Sequence, residues 1–214
     1  MTSDVFSRFK HLYLTFDIDA IEAETEHLLQ VGVLSKDLLS ECQTYMKIIG
    51  DKFESGEYFL AELVVAGELF KRTSMIMKAK SDYQNTERIG AIVLGTPKGD
   101  IHNLGKDIFA ILAEASGFEV HDLGVDVPPE KFIRKIEETG APIVGFSCLL
   151  TTTFNAIEDV VKMLEGNGMR KNVKIIIGGG STTRDLIDIL RVDEQTWDAF
   201  EGVRIAKRFM GIQV

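Results

Sequence analysis

The chain has 214 residues, of which 45% are hydrophobic and 27% charged, and its 33 acidic against 24 basic side chains give a formal net charge of −9. This length supports one or two domains with their own cores, and the acidic balance argues against a nucleic-acid partner, which wants clustered Lys and Arg. No run of about 18 uncharged apolar residues marks a membrane span, and the opening Met1-Thr2-Ser3-Asp4-Val5-Phe6 lacks the basic-then-apolar order of a secretory signal, so the expected setting is cytoplasmic, without a membrane partner.

Residues 1–79 read as helices. A short helix is expected from about Asp4 to Leu14. Ile18, Ile21, Leu28 and Leu29 then recur near helical spacing until Gly32 stops them. A third segment runs from Ser35 to about Glu54 on Leu38, Leu39, Cys42, Met46, Ile49 and Phe53, and Ser55-Gly56 breaks it. A fourth runs from about Tyr58 to Lys78. Short connections between such helices predict an antiparallel bundle.

The polar stretch 80–88 reads as a linker, and beyond it the pattern changes. Short apolar runs at Ile89–Leu94, Phe118–Leu123, Ile143–Phe146 and Val173–Ile177 predict strands. Helical segments are expected from Leu104, at Glu130–Glu138, at Phe154–Gly166 and at Ala199–Met210. The alternation predicts a parallel sheet with helices on both faces over 89–214. Ligands of such sheets sit at the carboxyl ends of the strands, which directs attention to three loops.

The first loop is Gly99-Asp100-Ile101-His102-Asn103-Leu104-Gly105. Its carboxylate can hold one imidazole nitrogen while the other points away, which makes the ring a better metal ligand. Gly105 permits a close approach of backbone. The second loop, Ser147-Cys148-Leu149-Leu150-Thr151-Thr152-Thr153, brings four hydroxyls to a strand end. The third, Gly178-Gly179-Gly180-Ser181-Thr182-Thr183, leaves bare backbone against which a flat group can lie. The two cysteines, Cys42 and Cys148, form no Cys-x-x-Cys pair, and the four histidines lack the spacing of a protein metal cage. Any metal therefore needs a single histidine or a non-protein cage.

The set Asp100-x-His102-x-x-Gly105, Ser147-x-Leu149 and Gly178-Gly179 resembles the signature of methionine synthase-type B12-binding domains. The stretch 120–128 resembles that family's second strand and turn. Gly56-Glu57-Tyr58-Phe59-Leu60 and Ala66-Gly67-Glu68 resemble its helical half. The nearest likeness is to the corrinoid proteins of three-component methyltransferase systems, which have a helical bundle cap followed by a Rossmann- or flavodoxin-like α/β domain. Asn103, Ala61, Gly180 and Gln195 depart from common choices in that family.

The resemblance implies a cobalamin or related corrinoid bound base-off and His-on, with His102 as the cobalt ligand and Asp100 hydrogen-bonded to it. Thr153 stands where the family places a relay hydroxyl. Ser147, Leu149, Thr151, Gly178 and Gly179 would line a slot for the cofactor's nucleotide tail, and Gly105 is a further expected cofactor-binding residue. Phe53, Leu60 and Leu63 match positions that shield the upper cobalt face.

The implied role is a non-catalytic methyl carrier cycling between cob(I)alamin and methylcob(III)alamin. Its implied partners are a substrate:corrinoid methyltransferase, a second methyltransferase to tetrahydrofolate or a thiol, and a reductive activator, and a homodimer is admitted. Aryl methyl ethers, methylamines, betaines and methanol all remain as methyl donors for such demethylation systems. The alternatives are the small subunit of a cobalamin-dependent mutase, which lacks a matching helical cap, and a cobalamin-based sensor, which needs an output module.

Overall fold

The computed structural model describes residues 5–79 and 88–213. The first of these stretches holds α1 (Ser7–Leu14), α2 (Ile18–Gln30), α3 (Ser35–Glu54) and α4 (Leu60–Lys78). Asp17 caps α2 by accepting the Ala20 amide at 3.0 Å, and Glu62 accepts the Phe59 amide at 2.9 Å where α4 begins. The helical stripes bury Ile21, Leu28, Leu38, Cys42, Met46, Ile49, Leu69 and Phe70. In consequence α4 packs on α2 and α3, and α1 packs on the same pair. The expected start of the first helix, Asp4, and the expected linker apart from Arg88 lie outside the described residues.

The chain forms two units, Met1–Glu87 and Arg88–Val214. The second contains five parallel strands, β1 (Gly90–Gly95), β2 (Phe118–Asp122), β3 (Ile143–Ser147), β4 (Lys174–Gly178) and β5 (Glu194–Thr196), in the order β2-β1-β3-β4-β5. The central strands read as continuous apolar runs because both faces are covered, and Ile92, Val93, Val144, Ile175 and Ile177 are buried. Between the strands lie α5 (Leu104–Ala115), α6 (Pro129–Thr139), α7 (Phe154–Gly166) and α8 (Leu186–Leu190), and α9 (Ala199–Phe209) follows β5. Helix α5 packs on α9, and α6 packs on α7.

This is the flavodoxin-like order, whose direction reverses between β1 and β3. The loops leaving those two strands therefore diverge to opposite faces and open a crevice between them. Two elements differ from the sequence expectation, α8 and β5. Helix α8 has five residues, too few to show a period, and β5 is the polar edge segment Glu194-Gln195-Thr196, in which only Gln195 is buried.

Candidate functional site

Asp100 is the pivot of the crevice. Its side chain has no solvent exposure, and it comes from the loop that follows β1. Oδ1 accepts the His102 amide at 3.0 Å and lies 2.6 Å from His102 Nδ1. Oδ2 crosses the crevice and accepts the amides of Leu149 at 2.7 Å and Leu150 at 3.2 Å, from the loop after β3. Burial pushes the Asp100 carboxyl up. The His102 and Leu149 amides, the His102 ring and the Leu150 amide outweigh it and hold the group below the ordinary carboxylate value. An ionised carboxylate only accepts. The proton between them therefore sits on His102 Nδ1, and Nε2 is the ring nitrogen turned away from the carboxylate, on a side chain that is 50% exposed.

Further bonds brace this loop from beneath. Asp126 takes a left-handed backbone conformation, φ 53°. Its Oδ1 accepts the Gly99 amide at 2.8 Å, and its own amide donates to the Asp100 carbonyl at 2.9 Å. The buried Thr96 hydroxyl donates to the His102 carbonyl at 3.2 Å. The Lys106 ammonium, from the first turn of α5, is buried between the carboxylates of Asp107 and Asp122. Asp126, Thr96, Lys106 and the Leu150 amide were not among the site residues expected from sequence. The one sequence signal for them is the stretch 120–128, which carries Asp122 and Asp126.

The other expected residues fall as follows. Ser147 ends β3, and a methyl at Gly105 would lie 3.6 Å from its Oγ, so these two positions face each other across the crevice. Thr151 is exposed and Thr153 buried in the 3-10 turn after β3. The Thr153 hydroxyl donates to the Leu150 carbonyl at 2.7 Å, and the Leu150 amide donates to Asp100. Gly178 ends β4 and Gly179 follows it. Gly179 has φ 104°, and a Cβ there would sit 2.2 Å from the Cys148 carbonyl oxygen. That contact lets two loop backbones lie directly on each other. In the helical unit, Phe53 is half-buried in the last turn of α3, Leu60 is 38% exposed at the start of α4, and Leu63 is buried. His121 lies in edge strand β2 with Nε2 3.7 Å from Glu119 Oε1. Among the described residues, no group of three or more His, Cys, Asp or Glu side chains is placed to hold a metal ion, and no helix is long and apolar enough to cross a membrane.

A family model described as a B12 binding domain matches residues 90–202, and a second B12 binding domain model matches residues 5–76. The chain belongs to the B12-binding family. Among its relatives is a dimethylamine corrinoid protein of Methanosarcina acetivorans, 34% identical over 90% of this chain and 88% of that one. A solved cobalamin-binding protein from Desulfitobacterium hafniense is 33% identical, covers 96% of this chain and 98% of its own, and superposes with a TM-score of 0.70. The methanol:cobalamin methyltransferase complex of Methanosarcina barkeri shares the fold, with a TM-score of 0.89 at 21% identity over 100% of this chain and 82% of that one.

The cofactor of this family is a corrinoid, and the residues present fit one. A corrin offers a broad, mostly apolar underside and asks the protein for one neutral nitrogen beneath the metal. Here His102 follows Ile101, 72% exposed, and precedes by two residues the exposed Leu104. Leu149, 48% exposed, and Leu150 are tied to the same carboxylate by their amides. Exposed apolar side chains on the two loops that meet at Asp100 suit a flat apolar ligand.

Proposed function

We propose that the chain is the corrinoid subunit of a methyl-transfer system, holding its cofactor with His102 as the lower axial ligand. It would receive a methyl group from a substrate:corrinoid methyltransferase and present it to a second methyltransferase. The observation that carries this reading is the buried Asp100 carboxylate fixing Nδ1 of a half-exposed His102. The name of the Methanosarcina acetivorans relative supports a methylamine as donor. Tetrahydrofolate or a thiol is the proposed final acceptor, a reductive activator a further partner, and the cytoplasm the proposed location.

When bound, the corrinoid supplies a cobalt centre that can take up and give away a methyl group. The chain's own residues do the rest. Asp100 keeps the proton on Nδ1 and so keeps Nε2 a donor. Ser147, Leu149, Thr151, Gly178 and Gly179 form the proposed tail slot, with Gly105 beside it. Phe53, Leu60 and Leu63 are the proposed upper shield.

The test is reconstitution of the chain with hydroxocobalamin. We expect about one corrinoid per chain and a His-on spectrum, with His102→Ala retaining cofactor but shifting to a base-off spectrum. Electron paramagnetic resonance of the cob(II) form should show nitrogen superhyperfine splitting that His102→Ala removes. Splitting from a protein nitrogen that persists in the variant would overturn the ligand assignment, and no uptake would overturn the carrier reading. For the shield, Leu60→Ala in protein loaded with methylcobalamin should photolyse faster than wild type. Unchanged photolysis would return Leu60 to an ordinary surface role. Leu63 is fully buried, so its truncation also costs about 2–5 kcal/mol of stability.

A further inference from the structure

Trp197 is the chain's single tryptophan and is 75% exposed. It lies just past edge strand β5, next to β4, at the carboxyl end of the sheet. An indole left in water is normally loose, but this one is tethered. Its Nε1–H donates to the Thr182 carbonyl at 2.8 Å. Thr182 is itself buried, and its amide and hydroxyl both donate to the Gly179 carbonyl, at 3.0 and 2.8 Å. Gln195, buried two residues before the tryptophan, donates to the Thr182 hydroxyl at 3.0 Å. Close by, a Cβ on Gly178 would lie 3.0 Å from the Thr196 carbonyl oxygen, so the residue before Trp197 abuts the glycine run directly. The indole is thus fixed beside the turn that begins at Gly179, with most of its surface bare.

A pinned aromatic ring is pre-organised for contact, because little conformational entropy remains to be lost when something covers it. What it stands beside is the glycine backbone of the proposed tail slot. We propose that Trp197 forms the outer wall of that slot and packs against the nucleotide arm of the corrinoid, so that it discriminates corrinoids with the arm from those without it. This rests on the carrier reading above. The chemistry recognised is the nucleotide arm, not the corrin ring, and the residue responsible lies outside the three motifs that carry the family resemblance.

The experiment compares hydroxocobalamin with aquocobinamide, which has the same ring and no nucleotide, on wild type, Trp197→Ala and Trp197→Phe. Affinity is read by equilibrium ultrafiltration, and the single indole N–H resonance by 15N-correlated NMR. We expect Trp197→Ala to weaken cobalamin about two- to tenfold, the range of one aromatic contact, and to leave cobinamide within experimental error. Trp197→Phe should retain most of the cobalamin affinity. In wild type the indole resonance should move with cobalamin and stay near its free position with cobinamide. Equal losses for both corrinoids, or no loss for either with an indole that ignores both, would overturn this inference alone. Failure of wild type to bind either corrinoid would bring down the carrier reading as well.

Discussion

The Asp100 carboxylate grips His102 twice, at ring Nδ1 (2.6 Å) and at the main-chain amide (3.0 Å), while its second oxygen holds two amides contributed from beyond β3. A side chain that satisfies four donors is structural as well as chemical. Asp100→Ala would orphan the Leu149 and Leu150 amides, and we expect a loss of about 3 kcal/mol in urea unfolding followed by circular dichroism. Asp100→Asn keeps an acceptor oxygen and should lose less. A stability unchanged in the alanine variant would show that those amides find water instead.

Lys106 gives a pH dependence whose sign can be worked out. Burial lowers the lysine's affinity for its proton, but bonds to Asp107 and Asp122 outweigh it and raise the group above its ordinary value. A raised folded value means that the stability it lends is fully present below the unfolded value of about 10.4 and is lost as pH rises through the folded one. Stability of the wild type should therefore fall more steeply above about pH 10.4 than that of Lys106→Gln. Parallel alkaline profiles by thermal melting would remove Lys106 from the account.

Asp126 combines a left-handed backbone with a hydrogen bond to Gly99, and two substitutions separate the contributions. Asp126→Gly relieves the backbone and loses the bond, whereas Asp126→Ala loses the bond and keeps the strain. We expect alanine to be the less stable by about 1 kcal/mol. Both should weaken the His-on form of reconstituted protein, because Gly99 precedes Asp100. The fraction His-on at fixed pH, read from the visible spectrum, checks this.

Helices α5 and α9 meet where Gly202 faces the Phe109 ring, and a Cβ on Gly202 would lie 3.0 Å from that ring. Gly202→Ala should therefore cost about 1–2 kcal/mol by overpacking. Adding Phe109→Leu should recover part of that loss, and the coupling in a double-mutant cycle measures the contact. Additive effects would mean that the helices simply move apart.

The sequence reached the parts of this architecture that side-chain type encodes. Buried parallel strands announce themselves as apolar runs, which is why β1 and β4 were legible, while β5 hid behind Glu194 and Thr196 at the sheet edge. The two-residue spacing of Asp100 and His102 permitted their hydrogen bond, and the family resemblance implied it. The Leu149 and Leu150 amides were not legible, because any residue carries an amide and these come from 49 and 50 positions away. Asp126 was hidden for a related reason. Its effect depends on a backbone angle that aspartate seldom adopts.

The three glycines at the end of β4 and just beyond it look interchangeable on paper and are not. At 179 an added methyl would strike the main-chain oxygen of Cys148 at 2.2 Å, at 178 it would press on the main-chain oxygen of Thr196 at 3.0 Å, and at 180 it would meet only a terminal methyl of Leu149 at 3.3 Å, which can rotate. Inherited change in this run should therefore be graded, frozen at the second position, rare at the first and open at the third. A lineage of such chains can drift at 180 without disturbing the seam between two strand ends, and a survey of surviving variants would read that seam as a notch one residue wide.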